Sequence, residues 1–111
     1  MKKHTEVYFN FMRYTYDNYG PTEHVPCEIC GNKAVDIHHI YNRGMGGSKK
    51  VDVNQIQNLM ALCRKDHVDY GDYPEYVDKL KEIHRLFVAN RLKEIKSMGE
   101  KWNTVIYSEL K

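Results

Sequence analysis

Between positions 27 and 67 the chain gathers Cys27, Cys30, His38, His39, Asn58, Cys63 and His67. Two thiolates separated by two residues suit a closed structural zinc site, because the short turn lets both sulfurs converge on one ion. Adjacent imidazoles suit metal-assisted hydrolysis, one on the metal and the other facing a water molecule. A free imidazole, with an ordinary pKa of about 6.5, can take a proton from that water at neutral pH. In Asp36-Ile37-His38-His39 strand neighbours point to opposite faces, so the two rings cannot easily share one ion. They can divide the labour where the strand ends or bends. His67, on a short helix, can supply a second metal ligand.

Cys63 ends a predicted strand, where the other half of a zinc site belongs. The fourth ligand is open among Asp66, His67 and His24. Asp66 is favoured, since carboxylate oxygen is a permitted zinc ligand. Two rival readings remain. Cys63 could be a small buried hydrophobe with no metal bound. The C-x2-C pair could instead serve thiol redox chemistry, but that wants a βαβ context, which is not apparent.

The elements that must position these residues are short. The chain has 111 residues, room for one domain spanning 1–111. A chain of this length buries only about 60 to 70% of its unfolded surface, so a metal staple would help it fold. Three cysteines cannot all pair in disulfides, which favours zinc and a reducing, cytoplasmic setting. Met1 to Thr5 lacks the apolar core of a signal peptide, and no apolar run approaches the roughly 18 residues of a membrane span. The mean hydropathy of -0.71 agrees.

Aromatic and apolar residues at helical spacing (Tyr8, Phe11, Met12, Tyr16, Tyr19) predict an N-terminal helix over about 5–19, with this stripe as core rather than a base-stacking platform. Gly20-Pro21 stops it. Residues 24–30 turn through Pro26 into a zinc knuckle, 33–40 form a strand, 41–48 a loop and 58–62 a second strand. Residues 64–70 form a short helix closed by Gly71 in the left-handed conformation. A capping box of Asp72 and Glu75, with Pro74 in the first turn, opens the longest helix, whose apolar face is Tyr76, Leu80, Ile83 and Phe87. That helix runs to about Ser97 with Gly99 as terminator, and a final helical element spans Trp102 to Leu110.

Net charge is only +2, weak evidence for a nucleic-acid partner, but the distribution says more. Arg43, Lys49, Lys50, Arg64 and Lys65 bracket the histidines. The first three have no close acidic partners and are the better phosphate-facing candidates. Lys79, Lys81, Arg85, Arg91, Lys93 and Lys96 are interleaved with Asp78, Glu82 and Glu94, which reads as a solvated helix face.

The stretches C-E-I-C, V-D-I-H-H-I, R-G-M-G-G, Q-N-L-M-A-L-C and D-H-V-D-Y-G-D, from Cys27 to Asp72, together resemble the HNH endonuclease family. The likeness is greatest to the small, free-standing HNH proteins of phages and prophages. It implies an α+β fold, with a small ββα-metal, treble-clef-like core motif at 27–72 on a zinc knuckle. An N-terminal helix and a C-terminal helical part, 72–111, flank it. The resemblance also implies roles. His38 matches the first ligand of a catalytic Mg2+, Mn2+ or similar divalent ion, and His67 the second. His39 matches the general base, and Asn58 the asparagine that ties the loop between the strands. Cys27, Cys30, Cys63 and Asp66 would hold structural zinc, although relatives commonly carry a fourth cysteine at the last position. The expected activity is phosphodiester hydrolysis in DNA, nicking one strand per site, by a monomer or weak dimer. Its cellular partner is open among phage packaging proteins, repair proteins and none. The rival class is a non-catalytic, zinc-dependent nucleic-acid-binding module, which would bind DNA in a salt-sensitive way without divalent-dependent cutting.

Overall fold

The computed structural model describes residues 1–41 and 54–97. Helix α1 spans Lys3–Met12, and a two-stranded ribbon follows, β1 Tyr16–Asp17 and β2 Gly20–Pro21. The knuckle leads into β3 Asp36–His39, which pairs antiparallel with β4 Leu59–Leu62. A single 3-10 turn, Ile56–Asn58, precedes β4. Helix α2, Arg64–Asp66, runs into a π-helical turn at His67–Gly71. A 3-10 turn at Pro74–Tyr76 opens the long helix α3, Val77–Ser97.

This is the small α+β fold expected, with several differences. The N-terminal helix is shorter than 5–19. Arg13 takes the left-handed conformation at φ 62° and its N–H bonds the Phe9 carbonyl, closing α1 one turn after Phe9. Thr15 and Tyr16 then enter the ribbon, whose turn is fixed by Asp17 Oδ1 accepting from the Tyr19 N–H at 2.8 Å. Helical periodicity continued across a β-turn by coincidence, and Tyr19 is 99% exposed. The strand expected at 33–40 narrows to 36–39, because Lys33 bridges Pro26 to close the knuckle.

Gly71 is not left-handed; the positive-φ glycines among the described residues are Gly20 and Gly31. The Asp72–Glu75 capping box does not form either. Tyr73 occupies the cap, and no side chain bonds there. The α3 face is rotated from expectation. Val77, Leu80, His84, Val88, Leu92 and Ile95 are buried, while Tyr76, Ile83 and Phe87 are half-buried. The loop residues beyond Tyr41, with Arg43, Lys49 and Lys50, lie outside the described residues, as do Gly99 and the element expected at 102–110.

Strand β4 is the hub. Leu-Met-Ala-Leu is buried at every position, a strand covered on both faces. Leu59 and Ala61 pack with Tyr8, Phe9, Met12, Val88 and Leu92, which joins α1 to α3. Met60 and Leu62 face the other way, onto Ile40, Val77, Leu80 and Cys27.

A polar network crosses the same region. Glu28, between the knuckle cysteines, is buried. Its carboxylate accepts from Tyr8 Oη–H at 2.5 Å and from the Ala61 N–H at 3.2 Å. The other oxygen lies 2.7 Å from His84 Nδ1, and His84 Nε2–H donates to the Ile56 carbonyl at 2.6 Å. His84 sits mid-face on α3 because Glu28 and Ile56 satisfy both its nitrogens. The network ties α1, knuckle, β4 and α3 together. Removing one partner leaves the rest buried and unmatched. Glu28→Ala should lower unfolding free energy by about 3 to 5 kcal/mol, and Tyr8→Phe by about 0.5 to 1.5 kcal/mol. Urea unfolding at matched zinc content checks both, and a Glu28→Ala midpoint equal to wild type would remove the network as a stabilising element.

Candidate metal centre and active site

The first cluster forms where the knuckle meets the start of α2. Cys27 N–H bonds the Asn32 carbonyl, and Gly31 N–H bonds the Cys27 carbonyl. Gly31, at φ 82°, turns the chain so that Cys27 and Cys30 converge. Cys63 caps α2, its sulfur accepting from the Asp66 N–H at 3.4 Å, which brings Asp66 inward. Cys30 and Cys63 sulfurs lie 3.7 Å apart, and Asp66 Oδ2 lies 3.2 Å from Cys27 Sγ and 3.3 Å from Cys63 Sγ. Tetrahedral zinc with Zn–S near 2.3 Å would separate two sulfurs by about 3.8 Å and a sulfur from an oxygen by about 3.5 Å. The cluster could therefore hold zinc. His24 bonds the Gly31 carbonyl and stands outside it, as does His67.

The electrostatics fit a cation. Burial raises the Cys27 thiol, while backbone N–H groups and Asp66 also act on it. The Asn32 N–H pulls Cys30 down, but hydrogen bonding to Asp66 and burial push it up to about 12. Burial alone would raise Asp66, yet thiol hydrogen bonds from Cys30, Cys27 and Cys63 hold it below its ordinary range. Without a metal, thiol protons hold the cluster together. Zinc would replace them.

The second cluster lies at the end of β3. The β3–β4 register pairs Asp36 with Leu62, His38 with Met60 and His39 with Leu59. Asp36 and His38 share one face of β3, and His39 leaves from the other. The His38 and His67 rings are 4.8 Å apart, centroid to centroid. Ligand atoms of His38, His67 and Asp72 all lie within 4.8 Å of one another. His67 Nδ1 donates to Asp36 Oδ2 at 3.0 Å, which leaves its Nε2 free, 3.6 Å from Asp72 Oδ1. A carboxylate behind a ligating imidazole fixes its tautomer and raises its basicity.

Two observations say that a cation fits here. His38 Nε2 is buried with no hydrogen-bond partner, the one such side-chain N or O among the described residues. Burial, then His67, pull the His38 pKa down, so at neutral pH the ring is neutral with a lone pair to offer. Gly71 also leaves the site open: a Cβ there would stand 2.6 Å from His67 Cδ2 and 3.3 Å from His38 Cε1. Gly71 thus serves a close approach rather than a left-handed turn.

His39, on the opposite face, has Nε2 2.8 Å from Asn54 Oδ1. An amide oxygen only accepts, so Nε2 carries the hydrogen and Nδ1 the lone pair. Asn58 clasps the Tyr41 backbone, accepting from its N–H at 2.6 Å and donating to its carbonyl at 2.9 Å. Its own carbonyl accepts from Ile40 N–H. The chain leaving β3 is thereby tied to the chain entering β4. Among the basic residues, Arg64 lies 3.8 Å from Asp36, and Lys65 pairs with Asp69 at 2.8 Å. On α3, Arg85 pairs with Glu82, and Arg91 with Glu94 and the Met12 carbonyl. A groove of about 850 Å³ runs along α3 by Ile56 and Leu92 and is lined by no residue of either cluster.

Sequence reading passed over Asp72, Asp36, Asn54, Glu28 and His84. Asp72 carried a faint signal: a carboxylate one turn beyond His67, next to a glycine. In a regular helix that offset of five faces away, and the π-helical turn brings it round.

A short antiparallel ladder and helical turn that divide tandem histidines between a candidate cation site and the opposite face of β3 are consistent with a ββα-metal fold. Residues 10–92, three quarters of the chain, match a family model described as "Putative HNHc nuclease". The chain therefore belongs to the HNHc nuclease family. No curated protein and no solved structure matches it. Among the described residues no helix is long and apolar enough to cross a membrane.

The Gly71 contact is testable. Gly71→Ala should displace the His67 ring and weaken Mn2+ binding about 10- to 100-fold, with zinc content unchanged. Titration calorimetry with Mn2+ measures it, and unchanged affinity would show that His67 does not bind the ion.

Proposed function

We propose that this protein is a metal-dependent DNA endonuclease that nicks one strand per active site. The carrying observation is the division at the end of β3. His38 offers an orphaned, buried Nε2 to a cluster with His67 and Asp72, while His39 stands apart with Nδ1 as acceptor. A divalent cation such as Mg2+ or Mn2+, held by His38, His67 and Asp72, would supply charge neutralisation at the phosphate and the leaving oxygen.

His39 takes the proton from a water molecule through Nδ1. The water oxygen forms a bond to phosphorus, and the bond from phosphorus to the 3'-oxygen breaks. The 3'-oxygen gains a proton from solvent, so the products are a 5'-phosphate and a 3'-hydroxyl. Asp36 keeps His67 Nε2 free. Asn58 ties the chain leaving β3 to the chain entering β4, and Arg43, Lys49 and Lys50, between them in sequence, contact phosphates. Zinc in the Cys27, Cys30, Cys63 and Asp66 cluster supplies folding energy to the frame. The protein acts in the cytoplasm as a monomer or weak dimer, alongside phage packaging or repair proteins.

Purified protein with Mn2+ or Mg2+ should convert supercoiled plasmid to open circle, and chelation should stop it. His39→Ala should cut about 10² to 10⁴ times more slowly with zinc content intact. Salt-sensitive DNA binding with no divalent-dependent cutting would favour the non-catalytic module instead.

A further inference from the structure

His39 has a second neighbour. The His4 ring lies 4.4 Å away, centroid to centroid, with the planes tilted at 50°. His4 is in the first turn of α1, ahead of the residues matched by the family model. The contact is a firm one. Tyr8, Phe9 and Met12, further along α1, are buried, and Tyr8 is anchored on Glu28. Burial, then the charges of His39 and Lys2, hold the His4 pKa below its ordinary value, so at neutral pH it packs as a neutral aromatic ring.

A general base must stand within about 2.6 to 3.2 Å of the proton it removes. An imidazole on a strand end can turn about two side-chain bonds, and a misplacement of about 1 Å can cost roughly 10²-fold in rate. Asn54 fixes one edge of His39. The second constraint comes from the His4 ring, packed against His39 at a tilt.

We propose that His4 is a positioning residue: with Asn54, it clamps His39 in the one orientation that presents Nδ1 as base. The inference rests on the nuclease reading for its consequence in catalysis, but the clamp itself is a statement about the His39 ring. His4 would act through His39 alone, not on substrate or metal.

The experiment pairs cleavage with NMR on the full chain for wild type, His4→Ala and His4→Phe. His4→Ala should lower kcat about 10-fold, with KM for DNA, the Mn2+ requirement and zinc content unchanged. His4→Phe keeps a ring against His39 and should recover to within about 3-fold of wild type. Three-bond couplings at His39 should report one rotamer in wild type and His4→Phe, and averaging in His4→Ala. One unaveraged rotamer in His4→Ala would overturn the clamp, as would equal losses in both variants. A raised KM or Mn2+ requirement in His4→Ala would overturn it too. If wild type does not cut at all, the nuclease reading fails, and the couplings still decide the clamp.

Discussion

Successive side chains on a strand leave on opposite sides, and β3 ends in two histidines. That constraint organises the site. His38 turns inward, loses water and keeps a lone pair with no protein partner. His39, one residue on, cannot reach the same point and is held instead by Asn54 and His4. The proposed ligand and the proposed base beside it, but not on one ion, would follow from a period of two. The β3–β4 register then decides which histidine does which. A one-residue slip would exchange them. Asn58, clasped to the Tyr41 backbone, is what resists that slip.

The rest of the molecule makes so short a ladder stand. Four residues on each strand are too few to persist alone. The cysteine–aspartate cluster pins one end of the ladder, where Asp36 pairs with Leu62, next to Cys63. The Tyr8–Glu28–His84 network holds the knuckle to α1 and α3 from behind. Glu28 lies between two cluster cysteines, so frame and core share a turn of chain. Damage to either would reach the His38–His67–Asp72 cluster through β4.

Much of this was legible in the sequence because ligand chemistry constrains spacing tightly. C-x2-C, the tandem histidines and Asn58 marked the frame and the ladder, and the structure gathers Asp66 with the three cysteines. Two kinds of feature were not legible. One depends on helix pitch: Asp72 reads as a cap until a π-helical turn brings it beside His67. The other depends on long-range contact. His84 reads as polar on an apolar face until Glu28 arrives from 56 positions away, and His4 and Asn54 flank His39 from elements with no motif. The N-terminal helix was overextended for a related reason. Aromatic spacing cannot distinguish a continuing helix from a ribbon, and Arg13 in the left-handed conformation ends it.

Anomalous X-ray diffraction from crystals grown with Mn2+, collected at the manganese and zinc edges, would meet the central claim head on. A manganese peak is expected bounded by His38 Nε2, His67 Nε2 and the Asp72 carboxylate, with a zinc peak among Cys27, Cys30, Cys63 and Asp66, and neither metal on His39. Manganese bound to the His39 ring, or found only among the cysteines, would contradict it.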